Sequence, residues 1–342
     1  MRRGLGHLRE AHARLTGRRF YCAALAGQSA YNICVNCDLT VSCNCQDYDG
    51  SGQIGSLEEH SLEELFAGPV ARRFRRDLAA GRLPLDTCSR CPELRLVDAG
   101  QAEQHVHEYR LPHRGMMVEN SVCCNLDCVS CAREGVSRIR ARRTMSLDDV
   151  RRVAAVLGRL GIESISYYNL GEPFLTPRIL DELQILREHN PTAVISSSSN
   201  GVLLDSDRKR EAALLLDDIY FSIDGPSTDV VTRYQRGSDF DRAYANLRAL
   251  RRYRDDRGQA SPRITWKYVL FRWNDHPALI KEALRLAREA EVDALYLWPT
   301  FSPPQGLSLR YWLHPYYRTL GRRGRYGIEV DMQGVGGDCG SK

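Results

Sequence analysis

From residue 116 onward the chain alternates short apolar runs with longer segments whose apolar residues recur every three to four positions. The short runs fall at 116–122, 163–168, 193–198, 218–223, 263–271 and 293–298 and predict strands. The amphipathic segments fall near 146–159, 178–188, 206–216, 238–254 and 276–290 and predict helices. Ser146 stands where an N-cap belongs, with Asp148 and Asp149 in the first turn, where carboxylates meet free N–H groups. Strands separated by helices build a right-handed, all-parallel sheet. Six strands are too few to close an eight-stranded barrel, so the expected fold is α/β, an open partial (β/α)6 barrel. Ligands in such sheets sit at the carboxyl ends of the strands.

Ahead of residue 116 the pattern weakens. Only Ser61–Ala80 is periodic, with Leu62, Leu65, Phe66, Val70 and Phe74 on one face of a predicted helix. The expected organisation is a basic extension at 1–19, a small cysteine-rich domain at 20–98, the α/β core at 110–300 and a C-terminal tail at 301–342.

Composition narrows the function classes. With 43% apolar and 27% charged residues the chain reads as soluble and globular. The net charge is +5, and of 48 basic residues only Lys209, Lys267, Lys281 and Lys342 are lysines. Arginine pairs such as Arg72-Arg73 and Arg142-Arg143 read as solvated surface, and no basic stripe with interleaved aromatics marks a nucleic-acid face. Residues 1–19 lack the apolar core of a signal peptide, and no run approaches the ~18 apolar residues of a membrane span. A cytoplasmic location follows as the expectation. In a reducing compartment the 12 cysteines read as metal ligands or catalytic thiols.

Chemistry concentrates in Cys124-Asn125-Leu126-Asp127-Cys128-Val129-Ser130-Cys131, which begins just after the first strand of the core. Three thiolates at this spacing can cap three corners of a cubane iron–sulfur cluster and leave one iron open to a small molecule. The alternatives are a zinc site or scattered thiols, although zinc sites usually pair two Cys-x-x-Cys units. Four further segments lie at strand ends: Asn169-Leu170-Gly171-Glu172-Pro173, Ser197-Ser198-Ser199-Asn200-Gly201, Phe221-Ser222-Ile223-Asp224-Gly225 and Arg233-Tyr234-Gln235-Arg236-Gly237.

Together with the triad, these segments resemble the radical S-adenosylmethionine (radical SAM) enzymes over roughly residues 115–300. The resemblance implies a [4Fe–4S] cluster on Cys124, Cys128 and Cys131, with S-adenosylmethionine (SAM) chelated at the open iron. It implies cofactor-binding roles for Gly171 and Glu172, the latter accepting from the SAM ammonium, and for Ser199 and Asn200 in a Thr-Asn-Gly-like turn. Ser222 is implied at the ribose or carboxylate, Asp224 at ribose hydroxyls or substrate, and Arg236 opposite a carboxylate. Leu170 replaces the first glycine of the family's Gly-Gly-Glu-Pro, and Ser130 stands where many members have an aromatic. Cys123 reads as a buried strand-end thiol.

The order Val41-Ser42-Cys43, Gly52-Gln53-Ile54-Gly55-Ser56-Leu57, helix, Cys88-Ser89-Arg90-Cys91 resembles the SPASM and twitch auxiliary-cluster domains of the same superfamily, here ahead of the barrel. That implies an auxiliary [4Fe–4S] cluster on Cys22, Cys43, Cys88 and Cys91, with Cys34, Cys37 and Cys45 as alternates; a zinc ribbon from Cys34-x-x-Cys37 and Cys88-x-x-Cys91 is the rival.

The expectation is an enzyme that cleaves SAM to a 5′-deoxyadenosyl radical and abstracts hydrogen from a sugar-like small molecule, with dehydrogenation or epimerisation favoured. A flavodoxin- or ferredoxin-type protein is the expected electron donor, with neither nucleic acid nor membrane as a partner. Cys339, in the Gly336-Gly337-Asp338-Cys339-Gly340 tail, is a candidate hydrogen donor for epimerisation. The rivals are a peptide- or protein-modifying maturase and a non-enzymatic iron–sulfur redox protein.

Overall fold

The computed structural model describes residues 2–324 and 327–332; Cys339 lies outside the described residues. The fold is mixed α/β with mostly parallel pairing, and it divides into two compact units. One holds residues 1–123, 132–171 and 185–194; the other holds residues 124–131, 172–184 and 195–342.

In the first unit Met116–Val118 pairs in parallel with Ser164–Ser166 on one side and with Cys34–Val35 on the other. Cys34–Val35 continues antiparallel into Thr40–Ser42 and then Gln53–Ser56, so the cysteine-rich hairpin extends the sheet that carries the first core strand. Helix Leu147–Leu160 opens on Ser146, whose hydroxyl accepts from Asp149 N–H while the Asp149 carboxylate accepts from Ser146 N–H. The reciprocal cap and the burial of Val150, Val153, Ala154 and Leu157 explain why this helix was legible.

The stretch Ser61–Ala80 is two helices, Leu62–Ala67 and Pro69–Ala79, instead of one. Pro69 cannot donate into a preceding turn, so the chain breaks at extended Gly68 and restarts with proline in its favoured first-turn place. Residues 2–15, read as a bare extension, are helical; buried Ala13 packs with Phe20 and Leu78.

In the second unit Val194–Ser199, Asp218–Ser222, Arg263–Leu270 and Ala294–Pro299 lie side by side and parallel. Their alternation sorts the side chains by face. Trp266 sits within 6.1 Å of Phe240 and Tyr244 on helix Phe240–Asp255. Tyr220, Ser222, Lys267, Tyr296 and Trp298 fall on the other face and are half-buried. The strands are not all parallel: Ile328–Asp331, in the stretch read as a tail, adds antiparallel to Ala294–Pro299. Among the described residues no helix is long and apolar enough to cross a membrane.

Candidate active site

The triad loop is held by backbone and amide contacts within the second unit. Asp127–Cys128 pairs antiparallel with Gln235–Arg236, and Val129 N–H donates to Tyr234 C=O at 2.9 Å. Gln235 is buried and bridges to the strand end: its Nε2 donates to Ser222 C=O at 2.9 Å, and its Oε1 accepts from Asp224 N–H at 3.1 Å. Leu126 N–H points at Cys124 Sγ from 3.4 Å, and Asn200 Nδ2 donates to Asn125 Oδ1 at 2.9 Å. One loop, two strand-end turns and one buried glutamine thus fix the three thiols.

Cys124, Cys128 and Cys131 are half-buried. Burial pushes the Cys128 thiol up, and the charges of Cys131, Asp224, Cys124 and Asp127 push it further. A thiol raised in this way needs a cationic partner before it ionises beside its neighbours, which an iron–sulfur cluster would provide. Among the described residues no three His, Cys, Asp or Glu side chains close round a single metal ion.

Glu172 is buried, and its carboxylate accepts three bonds: from Phe174 N–H at 3.1 Å, Ser199 hydroxyl at 2.8 Å and Asn200 N–H at 2.8 Å. Burial raises its pKa while these donors pull it down. The carboxylate therefore clamps the Ser199-Asn200 turn, a structural duty beside the SAM contact that the resemblance implies. Gly201, at φ +78°, closes that turn; a Cβ there would lie 2.8 Å from the Phe221 ring. In the first unit a Cβ on Gly171 would lie 2.0 Å from Ser121 C=O, so only glycine fits.

Asp224 is buried, with Oδ1 accepting from Val269 N–H at 2.8 Å. Burial pushes its carboxyl up to about 7, opposed by that bond and by the Lys267 charge. The Ser222 hydroxyl pairs with Ser198 at 3.2 Å. Arg236 is exposed on the ribbon opposite Asp127. Tyr234, from outside the triad loop, supplies an aromatic near Cys128 and Cys131, and its ring lies 4.4 Å from that of Phe271. The sequence reading had not singled out Asn125, Tyr234, Gln235 or Lys267 as site residues. Lys267, a charge inside the apolar run of its strand, was the available signal, whereas Gln235 stands among polar turn residues.

The first unit gathers a second set of thiols. Cys43 is raised by burial and then by Cys22, Cys88, Asp47 and Cys91. Cys22 is pushed up to about 12 by burial, with Cys91 and Cys88 adding. Cys88, also pushed up to about 12 by burial, feels Cys91, and Asn44 Nδ2 donates to Cys91 Sγ at 3.3 Å. Four thiols from a strand, a hairpin and a 3-10 turn therefore lie within electrostatic reach of one another. Of the alternates, Cys34 is raised by burial and lies near Glu119, Cys45 and Cys37. The other two have local partners, Cys37 Sγ on Arg142 C=O at 3.1 Å and Cys45 Sγ on Asn32 Oδ1 at 3.2 Å. The half-buried Cys123 has its N–H bonded to the Ser121 hydroxyl at 3.0 Å.

With the three-cysteine loop and the clamped strand-end turns described, residues 119–266 match the family model "Radical SAM superfamily". Over these residues the chain is similar to the radical SAM superfamily, a family that implies a [4Fe–4S] cluster and SAM. Among curated proteins it is similar to GTP 3′,8-cyclase of Paenarthrobacter nicotinovorans, 29% identical over 128 residues, which are 37% of this chain and 36% of the relative. The GTP 3′,8-cyclase of Limosilactobacillus fermentum is 25% identical over 39% of this chain and 40% of its own length. The chain thus matches well under half the length of these relatives. Among solved structures, anSMEcpe with bound AdoMet aligns at a TM-score of 0.42 and 17% identity, over 54% of this chain and 50% of that one. TYW1 with a lysine-pyruvate adduct aligns at 0.40 and 20% identity, over 54% and 64%.

Proposed function

We propose that the protein is a radical SAM enzyme acting on a sugar-like small molecule, by dehydrogenation or epimerisation, with an auxiliary cluster in its cysteine-rich region. The observation that carries the enzymatic part is the joint placement of Cys124, Cys128, Cys131, the Glu172-clamped Asn200 turn, Ser222 and Asp224 in one unit. When bound, a [4Fe–4S] cluster with an open iron supplies one-electron cleavage of SAM to a 5′-deoxyadenosyl radical.

The chain's own residues do the rest. Cys124, Cys128 and Cys131 hold the cluster, and Asn125 with Gln235 fixes their loop. Asn200, on the clamped turn, and the Ser222 hydroxyl would contact SAM when it is bound. Asp224, about half protonated at neutral pH, can offer a hydrogen bond to a hydroxyl without placing a full charge beside the thiolates. Cys22, Cys43, Cys88 and Cys91 would hold the auxiliary cluster, supported by their mutual reach in the first unit. Reduction would come from a flavodoxin- or ferredoxin-type partner in the cytoplasm.

The test is anaerobic reconstitution, reduction with dithionite and assay of 5′-deoxyadenosine from SAM. Wild type should form it, and alanine at Cys124, Cys128 or Cys131 should abolish it. Equal product from the triple variant would overturn the reading.

A further inference from the structure

We propose that Lys267 anchors an anionic group, a carboxylate or a phosphate, on the small molecule that the site acts upon. The inference rests on the radical SAM reading above and names the chemistry of its substrate.

Lys267 lies in the middle of strand Arg263–Leu270, on the face turned away from helix Phe240–Asp255. Its Nζ sits 4.5 Å from the centroid of the Trp298 ring, and Trp298 meets Tyr296 edge-on at 5.5 Å. Among the described residues no carboxylate lies within ion-pairing distance of Nζ. Asp224, the opposite charge that acts on it, gives Oδ1 to Val269 N–H instead. The chain's other described lysines differ: Lys209 donates to Leu203 C=O at 2.6 Å and lies 3.3 Å from Asp205, and Lys281 is exposed.

Burial pushes the Lys267 pKa down and the Asp224 charge opposes this from beyond ion-pairing distance, so an anion in direct contact would complete a half-buried ammonium that has an aromatic face on one side. The surrounding groups suit one. Ser222 is in direct register with Lys267 on the neighbouring strand, and its hydroxyl is paired with Ser198. An ammonium on the same sheet face as these hydroxyls makes that face donor-rich, which matches carboxylate or phosphate oxygens. Ser222 also belongs to the strand end that leads to Asp224, so an anion held at Lys267 would place the rest of its molecule toward the triad loop.

Competitive reductive methylation tests this directly. Anaerobically reconstituted full-length protein is treated with limiting formaldehyde and cyanoborohydride, and the labelling rate at each lysine is read by peptide mass spectrometry. Inorganic phosphate and acetate are the probes, at constant ionic strength. At an anion concentration of about twice its dissociation constant, Lys267 labelling should fall about threefold, because only the free fraction reacts. Lys281 should not change. Protection by phosphate alone, or by acetate alone, supports the proposal and selects the group. If Lys267 tracks Lys281 across both titrations, the proposal is wrong. It is equally wrong if SAM alone protects Lys267 and neither anion protects it further, since the lysine would then belong to the SAM pocket. Failure of the radical reading would show separately, as absence of 5′-deoxyadenosine from the same preparation.

Discussion

Removing the Glu172 carboxylate should loosen the site more than removing any one of its donors. Glu172→Ala leaves Phe174 N–H and Asn200 N–H buried without an acceptor, whereas the Ser199 hydroxyl, which also accepts from Gly201 N–H at 3.0 Å, can rotate. Each orphaned buried donor costs about 1–3 kcal/mol, so two cost about 2–6 kcal/mol, less whatever water in the vacated space returns. That is a large share of the ~5–15 kcal/mol that holds a typical domain together. Glu172→Gln is a finer probe. Its carbonyl can keep Phe174 and Ser199, but its NH2 then faces the Asn200 N–H, and about 1–3 kcal/mol is lost from one mismatch. Urea unfolding followed by tryptophan fluorescence should therefore rank wild type above Gln and Gln above Ala. Because Asn200 also bonds Asn125 in the triad loop, iron content after reconstitution should fall in the same order. An Ala variant with the wild-type midpoint and full iron would refute the clamp.

Asp224 gives a pH signature. Its carboxyl is raised by burial from 3.8 to about 7 in the folded chain, so between those values the folded state binds the extra proton and stability falls as pH rises. Roughly three pK units correspond to at most about 4 kcal/mol, and Asp224→Asn should remove this slope in iron-free protein unfolded at about pH 5 and about pH 8. Equal slopes in both proteins would contradict it. For the second thiol set, reconstituted wild type should hold about eight irons, from two cubanes of four, and Cys43→Ala should drop to about four. An unchanged count would remove Cys43 from the ligands.

The core strands were legible because their apolar runs are short and bounded by turns, and Asp218–Ser222 and Arg263–Leu270 fall almost where the pattern put them. The triad and the strand-end turns were legible because their spacing is itself the signal. Other features depend on pairings that no local window contains. The break at Gly68-Pro69 was overlooked because the apolar period runs on through it. The helix at 2–15 lacks an apolar stripe long enough to read, and it is held by the small residue Ala13 and by Glu10, which accepts from Leu83 N–H. Gln235 looks like an ordinary turn residue until Ser222 and Asp224 are folded against it. Lys267 looked like one charge in an apolar strand, since the sequence cannot show that Asp224 lies close enough to act on it while bonding Val269 N–H.

The Ser198–Ser222 hydroxyl pair has a further consequence. Either oxygen can be the donor, so the pair has two proton arrangements. In one, Ser198 keeps its proton for its neighbour and Ser222 is free to donate outward; in the other the outward donor is Ser198. A molecule arriving at this wall selects the arrangement it needs, and reversing it requires only hydroxyl rotation. Such a wall can meet a donor or an acceptor with the same two oxygens, and discrimination between related molecules would fall to the groups that cannot turn round.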